Sequence, residues 1–252
     1  MKIYIISGNK QPAIKSKDYE VLQVGADINK DINLSKIKDN KGINISSKNR
    51  NYCELTGLYW MWKHSNENII GLVHYRRFFF KNISLNNKNI LKSEDIKKLM
   101  NKYDIVVPTM GHTYMSVYSQ YNKYHDIKDL LLCGKIIKKK YPEYYPEFEK
   151  LLNKKQYYPF NMFITKKEIM DKYCEWLFDI LFESEKTINK TLDKKDNYNK
   201  RVYGFLSERL FNVWLNTNKL NVKEMPVYNI ENNKFKEVTI EIIKHILNVV
   251  RR

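Results

Sequence analysis

The chain has 252 residues, with 45 Lys and Arg against 28 Asp and Glu, for a formal charge of +17. That length suits one large domain with a substantial core, and the charge points to a polyanionic partner: nucleic acid, an anionic membrane face or a phosphorylated substrate. Three widely spaced cysteines (Cys53, Cys133, Cys174) without CxxC or zinc-ligand spacing exclude a disulfide framework and a structural zinc site, and no run of 18 apolar residues occurs.

Ile3 to Ile6 form a β-prone run that ends in Ser7-Gly8-Asn9-Lys10-Gln11-Pro12. Strand one therefore feeds a polar loop at the carboxyl edge of a sheet, which makes Ser7, Asn9 and Gln11 candidate nucleoside contacts by position. The run is too short for a signal peptide, so a reducing, cytoplasmic setting is expected, with the protein soluble or peripheral on the inner leaflet. Val21 to Val24 reads as a second strand, and 28–50 as a long functional or flexible loop.

From Asn51 to Lys63, Leu55, Leu58, Tyr59 and Trp62 recur at helical spacing, which predicts one helix packed on the sheet. Asn51 and Glu54 at its start suit a ribose or base, and equally serve as N-terminal caps. The apolar run Ile69-Ile70-Gly71-Leu72-Val73 then stops at His74-Tyr75-Arg76-Arg77. It reads as a strand buried on both faces whose C-terminal end carries the polar cluster, where open α/β sheets bind ligands. Two adjacent guanidiniums there suit a diphosphate, although strand alternation sends Arg76 and Arg77 to opposite faces.

Ser93-Glu94-Asp95 signals a helix start, and Asp104 precedes another buried strand, Ile105 to Pro108. Strand alternating with helix predicts an α/β fold with a mainly parallel sheet. Beyond Met115 the texture becomes helical and aromatic, with helices over 130–140, 166–185 and 202–217, a short strand over 159–165 and a mobile polar loop over 186–200. Ile242, Ile243, Ile246, Leu247 and Val250 line one face of a tail helix, which fits either a membrane interface or docking on the core. The expected organisation is one domain: a nucleotide-binding α/β half (1–110), a helical acceptor-side half (111–237) and an amphipathic tail (238–252).

The chain has neither a P-loop nor a GxGxxG, which argues against NTPases and dinucleotide oxidoreductases and leaves nucleotide-sugar transferases prominent. The segments Asn51 to Trp60, Gly71 to Phe78, Tyr157 to Phe163 and Gly204 to Phe211 closely resemble a bacterial family catalogued as domain of unknown function 4422, found in capsular and exopolysaccharide gene clusters. The resemblance runs from strand one to about Ile230. It implies a GT-A-like glycosyltransferase that moves galactosyl or galactofuranosyl units from a UDP donor to a saccharide acceptor.

Such transfer needs charge stabilisation on the departing diphosphate and, in an inverting enzyme, a base for the acceptor hydroxyl. The Asp-x-Asp triplet with which many GT-A enzymes hold a divalent metal is absent. The expectation is that no metal or other cofactor is required, with Arg76 and Arg77 neutralising the leaving group beside His74. Asp104 is the nearest strand-end acid, a candidate donor contact whose position before its strand suits a structural role better. Glu208, flanked by apolar Phe205, Leu206, Leu210 and Phe211 on a helix, is the first candidate base, because burial raises a carboxylate pKa. Asp126 beside His125 is the rival. Tyr118, Gln120, Tyr121, His125, Asn161 and Arg201 are candidate sugar contacts, combining tyrosine faces with polar side chains. A UDP-sugar and a saccharide acceptor, in a polyprenyl-diphosphate-linked form or otherwise, are the expected partners, with an anionic inner membrane surface nearby and no nucleic acid. The rival reading is a non-catalytic basic protein that binds nucleic acid or an anionic membrane assembly. Arginines spread on an exposed face would favour that rival; arginines recessed beside His74 and Glu208 favour the transferase.

Overall fold

The computed structural model describes residues 1–12, 14, 16–84 and 89–250. In chain order the first half contains β1 (Lys2–Ser7), β2 (Tyr19–Gln23), β3 (Ile37–Lys38), α1 (Asn49–Tyr52), α2 (Leu55–His64), β4 (Ile69–His74), β5 (Arg77–Phe79), α3 (Ser93–Met100) and β6 (Ile105–Pro108). There follow β7 (Gly111–His112), α4 (Val117–Tyr124), α5 (Ile127–Lys140), α6 (Tyr145–Asn153), β8 (Gln156–Tyr157), β9 (Phe163–Lys166), α7 (Lys167–Ile188), α8 (Val202–Asn218), β10 (Val222–Met225), β11 (Val227–Asn229) and α9 (Lys234–Val250).

Among the described residues the main sheet runs β10-β6-β9-β4-β1-β2-β3, and along that path β9 alone is reversed. The mainly parallel sheet read from the sequence is therefore present, with helices packed on it. In register, Ile6 lies beside His74 and Ser7 beside Gln23, so β1, β2 and β4 end level at one edge. β4 is central because Ile70, Leu72 and Val73 are fully buried, each such side chain contributing about 1.5–3 kcal/mol on leaving water. Its chain then reverses as β5, which pairs in turn with β11.

α2 lays Leu55, Leu58 and Met61 on the sheet. Gly57 makes that approach close: a Cβ there would meet Ile6 Cδ1 and Val24 Cγ1 at 2.8 Å. The expected single helix over 51–63 is instead two, broken at Cys53, whose φ of 53° no helix accommodates. Asn49 holds the break by donating to the Cys53 carbonyl (2.7 Å) and to Thr56 Oγ1 (2.8 Å).

The stretch over 28–50 is built rather than loose. Asp39 is fully buried and accepts from Gly25 N, Ala26 N and Ser46 Oγ, while the Gln23 amide ties Ile32 and Leu34. Residues 186–200 likewise finish α7 and continue as 3₁₀ turns over Asn189–Lys194 and Asn199–Arg201. The strand expected over 159–165 begins only at Phe163, because Phe160 and Asn161 both adopt positive φ (80° and 49°).

The tail helix docks by its polar side. Glu241 is buried and pairs with Lys244 (2.6 Å), Glu237 accepts from Asn229 N (3.0 Å), and Asn248 Oδ1 meets His112 Nε2 at 2.5 Å. The apolar face predicted to pack inward or against lipid points away from the body; Arg251, also assigned to this tail, lies outside the described residues. Among the described residues no helix is long and apolar enough to cross a membrane.

Candidate active site

The level ends of β1, β2 and β4 open into a cavity of about 720 Å³, reached at Ile6, Gly8, Val24 and His74. The broken helix α1–α2 contributes Asn49, Arg50, Cys53 and Glu54; α4 contributes Gln120 and Tyr124; the 157–160 segment contributes Tyr157 and Phe160. α8 and the residue before it present Arg201, Phe205, Glu208 and Arg209, which recur at helical spacing on one face. The volume lies in the usual range for small-molecule sites.

Five arginines face the cavity, Arg50, Arg76, Arg77, Arg201 and Arg209, against the carboxylates of Glu54 and Glu208. Arg77 stacks over the Phe160 ring at 4.7 Å and forms no ion pair with a described residue. Burial first, and then the neighbouring Arg76, lowers its pKa from the ordinary arginine value. Glu237 and Glu208 oppose that shift without a close ion pair, and a half-buried guanidinium so placed is costly to the fold and ready for an anionic ligand. Arg76 reaches Glu231 at 3.8 Å, and its Nε is buried without a partner. Arg209 binds Gln120 Oε1 and Glu208 Oε2, both at 3.1 Å, while its own Nε is unpartnered.

The positive-φ residues Cys53, Phe160 and Asn161 all border this cavity or lie directly behind it. Non-glycine residues hold such conformations only where surrounding contacts over-determine them, and functional sites collect them. Here the strained turn joins the reactive groups. The Phe160 backbone lies against both the His74 ring and the Glu208 carboxylate, favouring the charged form of each. Asn161 Nδ2 donates to Glu54 Oε1 (2.6 Å) and to the Gly204 carbonyl (3.1 Å).

Burial raises the pKa of Glu208, opposed by Arg209 and reinforced by Glu54. Burial also raises that of Glu54, opposed by the bond from Asn161. His74 is pushed down to about 3 by burial and then by Arg77, Arg76 and Arg201, so its ring is neutral at physiological pH. With Nε2 buried and unpartnered, the neutral His74 ring offers a hydrogen-bonding group beside Arg76 and Arg77, the place expected from sequence for this candidate catalytic residue. The Cys53 thiol, pushed up to about 11 by burial, stays protonated beside Arg201 Nε at 3.3 Å.

Of the residues singled out in the sequence, the structure brings together His74, Arg76, Arg77, Glu54, Glu208, Gln120, His125 and Arg201. Asn161 and Tyr121 sit immediately behind, the first holding Glu54 and the second under the Arg209 guanidinium at 5.2 Å. His125 stacks on Phe205 at 4.1 Å, and its Nδ1 meets Asn199 Oδ1 at 2.8 Å.

Several residues fall elsewhere. Asp126 is the N-cap of α5, accepting from Lys128 N at 3.0 Å, and lies 3.6 Å from Lys195 outside the cavity, so it is no rival base. Asp104 accepts from Asn221 N (2.9 Å) at the opposite edge, where β6 begins, too far round the sheet to contact a donor. Tyr118 lies on the outer face of α4 and lines a separate cavity with α5 and α6. Asn51 is spent on the Lys200 carbonyl (2.8 Å). Ser7 is buried with its hydroxyl on the Lys10 carbonyl, and Asn9 and Gln11 are exposed beside the cavity without lining it. The residues missed are Asn49, Arg50, Tyr124, Tyr157, Phe160, Tyr198, Phe205 and Arg209. The i, i+4, i+7, i+8 spacing from Arg201 could have found Phe205 and Arg209, the aromatic and polar run from Tyr118 could have found Tyr124, and Tyr157 and Phe160 lie in a segment that carries the resemblance; nothing local marks Asn49, Arg50 or Tyr198.

Among the described residues, no three His, Cys, Asp or Glu side chains converge as metal ligands. Glu54 is held by Asn161 and Glu208 by Arg209, both among arginines, so this donor set does not fit a divalent cation.

A mainly parallel sheet, with β5 and β9 reversed, that opens at its carboxyl edge into an arginine-rich cleft is a GT-A-like α/β fold. The chain belongs to the family described as a domain of unknown function, DUF4422, whose profile matches residues 2–219. It is similar to the apo structure of the WbbM bifunctional glycosyltransferase, with 28% identity and a TM-score of 0.84 over 92% of this chain and 45% of that one. The chain thus spans less than half the length of that neighbour. A comparison with curated proteins finds no match.

Proposed function

We propose that the protein is a glycosyltransferase that moves a hexose, galactosyl or galactofuranosyl, from a UDP-sugar to the saccharide acceptor of a bacterial capsular or exopolysaccharide. The observation that carries the reading is the meeting in one cleft of recessed Arg77, which forms no close ion pair among the described residues, with a raised-pKa carboxylate, Glu208. Arginines gathered in a cleft, rather than spread on an exposed face, favour this over a nucleic-acid-binding role. The WbbM likeness supports the same chemistry.

In this reading Arg77, with Arg76 and Arg201, holds the diphosphate and stabilises the charge that develops as the C1–O bond to UDP breaks. The electron pair of that bond leaves with UDP. The acceptor oxygen forms the new bond to C1 while its proton passes to Glu208, which is ionised above its raised pKa. Neutral His74 offers its unpartnered Nε2 for a hydrogen bond with the bound sugar. The faces of Tyr124, Tyr157, Tyr198 and Phe205 offer surfaces for sugar C–H groups. Guanidiniums provide the positive charge, so the step is written without a metal. A cytoplasmic enzyme acting on a polyprenyl-diphosphate-linked acceptor fits this assignment.

The test is to incubate the protein with UDP-galactose and with UDP-galactofuranose, each with saccharide acceptors, and to measure UDP release and product mass. Acceptor-dependent release from one donor and a mass gain of one hexose are expected. No turnover with any UDP-hexose, alongside tight binding of nucleic acid, would overturn the reading.

A further inference from the structure

α9 is amphipathic in an inverted sense. Its polar side, Glu237, Glu241 and Asn248, faces the body, whereas Phe235, Ile242, Ile243, Ile246, Val249 and Val250 are 44–77% exposed. An apolar stripe of this kind turned to water often serves an interaction. We infer that this face of α9 is a membrane-docking surface that lies in the headgroup region of an anionic bilayer. The inference does not depend on the proposed reaction.

Charge selects lipid over a second copy. From Lys234 onward the sequence has five Lys or Arg against two Glu. Both acids are turned to the body, where Glu241 is buried and Glu237 holds Asn229 and Asn232. Lys234 and Lys236 are exposed at the start of the stripe. An anionic surface complements that arrangement and the +17 of the whole chain, whereas a second copy would bring like charge against like. Area points the same way. A 17-residue helix is about 25 Å long, and one face of it offers roughly 300 Å², well short of the about 800 Å² per partner of a stable interface. Insertion of such a face to the headgroup boundary needs no partner surface of matched shape.

The helix is joined directly to the cleft. β11, which precedes it, pairs Asn229 with Arg77, and Ile230 N donates to the Arg76 carbonyl at 2.9 Å. Docking through α9 therefore holds the arginine side of the cleft close to the bilayer.

The experiment is vesicle co-sedimentation with phosphatidylcholine alone and with phosphatidylcholine containing phosphatidylglycerol. The wild type and an Ile242→Ser/Ile243→Ser/Ile246→Ser variant are compared, with circular dichroism, UDP titration and sedimentation velocity alongside. The wild type is expected to bind the anionic vesicles as a monomer, and the variant to lose at least about tenfold in partitioning with UDP affinity and helicity retained. Should the triple variant fold poorly, Lys234→Ala/Lys236→Ala supplies the check. Its partitioning onto anionic vesicles should drop by about an order of magnitude. Absence of wild-type binding, equal binding to neutral vesicles, retained binding by the variants, or a wild-type dimer that the triple variant dissolves would each overturn the inference.

Discussion

Glu208→Gln is expected to lower the rate of sugar transfer by about 10²–10⁴-fold, with UDP affinity unchanged or slightly tighter. The amide keeps the shape of the side chain and its contact with Arg209 but cannot take the acceptor proton. It also removes a negative charge from beside the arginines, hence the direction for UDP. Wild-type turnover should rise with pH through the raised pKa of Glu208, and the variant should lack that limb. Stability supplies an independent check. Because the folded-state pKa of Glu208 lies above its unfolded value, the native state binds the extra proton, and wild-type stability falls as pH rises through that window. Glu208→Gln should flatten the fall and melt higher than wild type at neutral pH. If Glu54→Gln instead takes the rate loss while Glu208→Gln keeps the activity, the proton goes to the other carboxylate and the assignment is wrong.

Arg77→Ala is expected to weaken UDP binding by about one to two orders of magnitude, the loss of a charge-assisted contact in a desolvated setting. Arg77→Lys should recover little, since a single ammonium cannot reproduce the planar fork or its stacking on Phe160. Arg76→Ala should cost less, because that side chain is 36% exposed and already shared with Glu231. The distinguishing feature is stability. Arg77 forms no close ion pair among the described residues, and burial with Arg76 outweighs the pull of Glu237 and Glu208, so its removal relieves a buried charge, and the melting temperature should hold or rise while binding falls. A variant that loses UDP binding together with its fold would show that Arg77 is structural.

The cleft edge of the sheet was readable in the sequence because its signals are local. An apolar run that stops at His74-Tyr75-Arg76-Arg77 marks a buried strand and its carboxyl end, and two helical turns relate Arg201 to Glu208. What escaped was set by distant partners. The break at Cys53 has neither Gly nor Pro; it exists because Asn49 and Thr56 bond its carbonyl and Gly204 packs beside it. The left-handed Phe160-Asn161 turn, which aims His74, Glu54 and Glu208, had one cue, that Asn tolerates positive φ. The polar stretch over 28–50 looked mobile because its order comes from one buried carboxylate, Asp39. Asp126 and Asp104 carried the right chemistry at the wrong places: one caps a helix, and the other lies at the amino edge of the sheet. The tail was recognised as amphipathic, yet periodicity alone could not tell which face the body takes.

The most direct test of the account is calorimetric titration of the wild-type protein with UDP in EDTA, repeated with manganese. Saturable binding in EDTA, little changed by the metal, is predicted from a cleft whose arginines supply the charge that a nucleoside diphosphate requires. Binding that appears only with manganese, or none in either condition, would contradict it.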